Sequence, residues 1–370
     1  MKTEMKVLCS LTAAALIAGC ASGGGSGGGS SGGGGPAIDP ALAPLRPGYE
    51  PSPCGTLYGY PVPCVPYLPR FPGDPGPVAV PPPLPAFTNW TDLRRDTPTQ
   101  VTGLATIVFY ETRPDGSISS TSDHDQGSEG NFIVQYDAQG KPVHLDLGGG
   151  GGPGSRSSSV HGGHVSLAAI GQPWLDLGRN DTLQDSPQTP FTTLTARQIE
   201  LVANPYLLGW NYQSFGVWNV TDPSWVGFGA ATFGAATPAS AVPTSGNASF
   251  TGKLGGLYVS PAGQGSIATA DVRVDANFSA RSLSFASSGT TITRDLATST
   301  AASNLNLSGT LTYLPASNAF TGTLTNAGGT MSGSSKGRFY GPTAQELGGV
   351  FTLKSPTGVE TFAGAYGGKR

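Results

Sequence analysis

From residue 245 onward, apolar and polar positions alternate with a period of two. Phe250 and Leu254 share one face of the stretch 248–254, and Val272, Val274 and Ala276 oppose Asp271, Arg273 and Asp275. Leu305, Leu307, Leu311 and Tyr313, with Gly309 between them, oppose Asn306, Ser308, Thr310 and Thr312. Phe320, Gly322 and Leu324 oppose Thr321, Thr323 and Thr325. Such alternation marks strands with one buried face, and turn signals roughly every 8–12 residues argue an antiparallel barrel or sandwich. Closure alone removes exposed edges, and about eight strands give an interior that side chains fill. The expectation is therefore an all-β chain with a soluble eight-stranded antiparallel barrel at residues 245–370. Its outward faces carry Thr, Ser, Asn and charge, not the apolar residues of a lipid-facing wall.

Residues 86–244 read as a separate β-rich domain. Val101–Tyr110 is rich in β-branched residues and runs to a turn at Pro114-Asp-Gly116. Asn131–Tyr136 and Val143–Leu147 predict two further strands around the turn Asp137-Ala-Gln-Gly140, and Gly148–Ser159 reads as a loop. Thr193–Asn204 is the one short helix suggested. Tyr206–Phe233 holds eight aromatic residues. Within it, Tyr212, Ser214 and Gly216 alternate with Gln213, Phe215 and Val217, so apolar residues fall on both sides and both faces are expected to be covered.

The N-terminal quarter has a different composition. Lys2 and Lys6 precede the apolar stretch Val7–Ala18, which is too short to span a bilayer and fits a signal peptide over residues 1–19. Ile17-Ala18-Gly19-Cys20 looks like a bacterial lipobox, which implies cleavage before Cys20, lipidation of Cys20 and a seat in the outer membrane. Residues 22–35 are only Gly and Ser, and Pro36–Pro85 is Pro-rich, so residues 20–85 read as a tether, flexible first and stiffer later. Cys54 and Cys64 bracket a short loop. With Cys9 in the leader and Cys20 lipidated, they are the only remaining thiols, and a disulfide in an oxidising compartment is the economical reading.

Charge and chemistry exclude more than they assign. The net charge of −3 lacks the basic footprint of a nucleic-acid partner. Residues 245–370 carry 9 Lys and Arg against 5 Asp and Glu, a mild excess of +4 that ordinary solvation explains as well as an acidic partner does. Asp123-His124-Asp125 offers two carboxylates and an imidazole to a cation, yet it leads into Gly127–Gly130 and reads as a polar turn. His161-Gly-Gly-His164 offers two nitrogens to a metal or haem, without a nearby cysteine or carboxylate to complete a site. No nucleophile elbow, phosphate loop or zinc-protease helix is present. Residues 245–370 hold no His or Cys, so an enzyme, a metal centre and a cofactor are not expected.

The last 34 residues carry a motif of another kind. Pro342 ends the strand containing Phe339, and Gly348-Gly349 allow close backbone approach before a terminal hairpin. Phe339, Tyr340, Gly341, Pro342, Glu346, Gly348, Gly349 and Phe351, with Gly364, Gly367, Gly368 and Lys369, resemble the closing strands of the barrel domain in the transferrin-binding protein B family of bacterial surface lipoproteins. Tyr212–Trp218 resembles the long strand that leads from that family's handle subdomain toward its barrel, and Pro243–Gly246 resembles the barrel's opening. A structural role is expected for the motif, with Glu346 capping exposed amides near the start of the turn that follows Gly341. The resemblance implies a non-catalytic lipoprotein at the cell surface. Its ligand would be a protein carrier of iron or haem, passed to a TonB-dependent receptor. Family members usually carry two lobes and this chain has length for one, which leaves an adhesion, complement-evasion or envelope-structural lipoprotein as the alternative.

Overall fold

The computed structural model describes residues 56–57, 60–61, 87–93, 95–112, 118–146, 159–161, 164–180, 198–222, 225–294, 298–356 and 358–370. The leader, Cys20 and both Cys54 and Cys64 lie outside the described residues. A two-residue pairing of β1 (Thr56–Leu57) with β2 (Tyr60–Pro61) stands between the two cysteine positions.

Nine strands form the first large sheet. They are β3 (Thr99–Thr112), β4 (Ile118–Tyr136), β5 (Pro142–Asp146), β6 (Ser159–His161), β7 (Val165–Leu167), β8 (Gln172–Asn180), β9 (Gln198–Ala203), β10 (Gln213–Asp222) and β11 (Trp225–Gly234). Their order is β6-β5-β4-β3-β11-β10-β9-β8-β7, all antiparallel, curled into a half-barrel. Its inner face packs Trp90, Phe132, Val134, Tyr136, Leu145, Val202, Trp218 and Phe233. The segment that enters at Phe87 is pinned there, with the Trp90 indole N–H donating to the Gln213 carbonyl at 2.9 Å.

Two expectations are corrected in this sheet. Residues 198–203 are strand β9, not helix, and 193–197 lie outside the described residues; the helical turn that follows is α1 (Pro205–Leu208). Pro205 suits the first helical position, and the Asn204 side chain accepts from the amides of Tyr206 and Leu207. Asp123-His124-Asp125 lies inside β4, with Asp125 opposite Ile107 and Asp123 opposite Val108 of β3 and His124 at the register shift between them.

Residues 247–369 form the barrel, as the alternation predicts. Its strands are β12 (Asn247–Val259), β13 (Gly265–Asn277), β14 (Ser282–Thr293), the short β15 (Ser299–Ala301), β16 (Leu307–Tyr313), β17 (Ala319–Asn326), β18 (Ser332–Tyr340), β19 (Glu346–Lys354) and β20 (Thr361–Lys369). The order β13-β12-β20-β19-β18-β17-β16-β14 closes through the β13–β14 pairing into eight antiparallel strands, with β15 added on β14. Phe250, Leu254, Val272, Val274, Leu311, Phe320 and Leu324 point inward and are buried. Phe339 is the aromatic hub, with ring centroids of Phe320, Tyr313, Phe278 and Phe250 at 5.3, 5.4, 5.9 and 6.3 Å.

The outer wall is divided. On β14, β16 and β17 the outward Ser and Thr residues are largely exposed, whereas β19 and β20 are buried almost throughout. The difference is the first sheet, which lies on β12, β19 and β20. Phe215 and Val217 of β10 share one core with Leu257, Val350, Ala363 and Ala365 of the barrel. Tyr212–Trp218 is thus a strand covered on both faces, and its aromatic residues are packing groups. No helix among the described residues is long and apolar enough to cross a membrane.

Candidate functional site

The motif at 337–349 is where the two sheets meet. Phe339 and Tyr340 are adjacent in β18, so their side chains part: Phe339 enters the barrel core and Tyr340 faces the first sheet. The Tyr340 hydroxyl accepts from Thr232 Oγ1 of β11 at 3.2 Å, and burial pushes its pKa up to about 12. Gly341 takes the left-handed conformation (φ 83°) and lies against the Tyr212 ring, which a Cβ would meet at 2.6 Å. Pro342 is exposed on the turn, and Phe351 points into the barrel 5.0 Å from Phe362.

Glu346 opens β19 with its carboxylate buried in the seam. Oε1 accepts the amide of Asn211 at 2.6 Å, and Oε2 accepts those of Tyr212 and Gln213 at 2.9 and 3.0 Å. These amides belong to the opposite sheet, not to the turn after Gly341. Burial raises the carboxyl's pKa, while the three amides and Lys369 pull it back.

Glycines make the close approach possible. A Cβ on Gly348 would stand 2.2 Å from Thr232 Oγ1, and one on Gly367 would stand 2.3 Å from Gln213 Nε2. Gly255 receives the Phe215 ring in the same way. Gly349 serves the other side of the wall, where a Cβ would meet the Tyr366 hydroxyl at 2.5 Å. Further along the seam, Arg338 Nη2 donates to Glu129 at 2.9 Å, and the hydroxyls of Thr106 and Thr352 meet at 3.3 Å. Gln213, Thr232, Glu129 and Gly255 are the partners that the linear motif did not reveal. Their only signal in sequence was one outward glycine on each of three strands, Gly255, Gly348 and Gly367.

The histidines are distributed differently from their spacing. His161 pairs in register with His144 across β6 and β5. His164 is fully buried, 3.5 Å from Glu200, with its ring in the space a Cβ on Gly178 would need. Its burial, with Lys141 and His144 nearby, holds its pKa down to about 4. Its imidazole is therefore a packed interior group, withdrawn from any ligand at the surface. Among the described residues, no group of three or more His, Cys, Asp or Glu is placed to hold a metal ion.

The fold is thus an eight-stranded barrel braced along one wall by a curled handle sheet, with the motif as the brace. Residues 242–370, about a third of the chain, match the family model for the C-lobe and N-lobe beta barrels of Tf-binding protein B. Among solved structures, a transferrin binding protein B mutant from Haemophilus parasuis Hp5 aligns at 12% identity over 73% of this chain and 76% of that chain, with a TM-score of 0.35. A double mutant of that protein aligns at 13% identity over 74% and 76%, with a TM-score of 0.39. The isotype 1 protein from serogroup B Neisseria meningitidis aligns at 14% identity over 75% and 76%, with a TM-score of 0.32. No curated protein matches the chain by sequence.

Proposed function

We propose that this protein is a non-catalytic outer-membrane lipoprotein, anchored through Cys20 and facing outward. It captures a protein carrier of iron or haem and offers it to a TonB-dependent receptor. The observation that carries this reading is the family match over residues 242–370, the barrel of proteins named for binding transferrin. The seam supports it physically. A handle locked to a barrel by Glu346, Thr232 and Gln213 gives loops a rigid mount, which lowers the ordering cost of binding a large partner. The tether of residues 20–85 would keep captured cargo near the membrane at raised effective concentration. A Cys54–Cys64 disulfide would close the loop that carries β1 and β2.

The test is affinity capture from host serum, or from culture medium for a free-living source, using the mature chain as bait. Enrichment of an iron or haem carrier is expected. Enrichment of complement or matrix proteins alone, or protection of the protein from protease on intact cells, would defeat the reading.

A further inference from the structure

The strand directions put one set of barrel connections at a single end: residues 243–246, 278–281, 314–318 and 341–345, together with Arg370. None of these residues is Asp or Glu. Arg281, Lys369 and Arg370 are exposed there. Lys369 Nζ donates to the Gly209 carbonyl at 2.7 Å, which brings α1 to this same end. On the other side of α1, the Arg95 guanidinium lies 4.6 Å from the Tyr206 ring.

Two of the three most exposed large apolar side chains among the described residues stand among these cations. Leu207 on α1 is 62% exposed, and Leu314, next to Tyr313, whose amide donates to the Arg281 carbonyl, is 76% exposed. The carboxylates of this region are mostly engaged. Glu346 is buried in the seam, Asp275 is paired with Arg273 and Ser249, Asp137 accepts from its own turn, and Asp92 is bonded to Asn89. Asp176 accepts from Asn204 beneath α1, Glu129 is paired with Arg338, and Asp96 is exposed beside Arg95.

The handle's described chain, which resumes at Phe87, also starts here. The Trp90 amide donates to the carbonyl of Asn211, whose own amide is held by Glu346 in the seam, and the Phe87 ring packs tilted against Trp90 at 4.5 Å. Eighty-six residues, including Cys20, precede that point. We propose that this end of the molecule docks on an anionic lipid surface, with Arg95, Arg281, Lys369 and Arg370 meeting headgroup phosphates and Leu207 and Leu314 entering the interface. Cations beside scattered apolar side chains suit that boundary, and Phe87–Trp90, where the handle's described chain starts, stand at the same end. A protein partner would fit the charge equally, but nothing about a protein partner calls for the side at which the chain enters. The orientation rests on the proposed anchoring through Cys20; the surface chemistry does not.

The experiment is co-sedimentation of the mature, unlipidated chain with vesicles of phosphatidylcholine alone or with phosphatidylglycerol added. Binding is expected only with the anionic lipid and should weaken as salt rises. Arg281→Gln and Arg370→Gln should each lower partitioning by about fivefold, and Leu207→Ser with Leu314→Ser should lower it further, with the thermal midpoint unchanged. Failure to sediment with anionic vesicles would overturn the proposal, as would equal binding by the quadruple variant. Capture of a serum carrier with no vesicle binding would leave the proposed function standing and remove this one.

Discussion

Glu346 of the barrel holds the amide of Gln213 of the handle at 3.0 Å, across 133 residues of sequence. The same carboxylate takes the amides of Asn211 and Tyr212, so one side chain satisfies three successive donors where β10 begins. Removing it leaves those amides facing a seam sized for oxygen. Buried donors without partners cost roughly 1–3 kcal/mol each, partly relieved if the strand end shifts. Glu346→Ala should therefore destabilise by about 3 kcal/mol, and Glu346→Gln, which keeps one acceptor, by about half as much. Urea midpoints for the two variants check this; equal midpoints would mean that the carboxylate is not the clasp.

Gly348 makes a sharper claim, because it concerns a single atom. Its added Cβ would stand 2.2 Å from Thr232 Oγ1 and 3.1 Å from Gln213 Oε1. Gly348→Ala should cost about 1–3 kcal/mol through overpacking, although alanine is otherwise tolerated in strands. The cost should fall by about 1 kcal/mol or more in a Thr232→Ala background, since the colliding oxygen is then gone. A double-mutant cycle by chemical denaturation measures that coupling. Additive effects would show that the handle does not press on the barrel at this point.

The barrel was legible in sequence because one face of β14, β16 and β17 meets water, so burial imprints the period of two. The handle was less so, since its central strands β10 and β11 are covered on both sides. Glu200 and Asp176 are buried within β9 and β8, where charge breaks the apolar pattern, and residues 198–203 consequently resembled helix. Asp176 is satisfied by Asn204 Nδ2 at 2.9 Å, a partner 28 residues away. The motif stood out as a marker, but the acceptor role of Glu346 toward 211–213 depends on tertiary packing. No local pattern encodes it.

Neighbours in the motif should respond very differently to substitution. Phe339 is fully buried with four aromatic rings around it, whereas Pro342, three residues on, is exposed. Phe339→Ala should cost about 3–5 kcal/mol, as expected for opening a cavity in an aromatic core. Pro342→Ala should stay within about 0.5 kcal/mol, the usual range for a surface position. Thermal unfolding of the two variants tests the contrast. A severe effect of Pro342→Ala would point to the turn, and away from the Phe339 cluster, as the feature that organises the closing strands.

His164 should make the handle sensitive to acid. Its pKa falls from 6.5 to about 4 because burial disfavours the imidazolium and Lys141 and His144 add like charge; Glu200 lies 3.5 Å away. The unfolded chain binds this proton near 6.5 and the folded chain only near 4. The stabilisation is thus complete above about pH 6.5 and is lost progressively as the pH falls through the folded value, by at most about 3 kcal/mol. Wild-type thermal midpoints should drop between pH 7 and 4 more steeply than those of His164→Gln, which cannot take up the proton. The gap between the two curves, after subtracting their offset at pH 7, isolates the histidine. Parallel curves would mean that His164 does not titrate in this window, and that the acid response belongs to carboxylates held below their usual range, such as Asp275 beside Arg273.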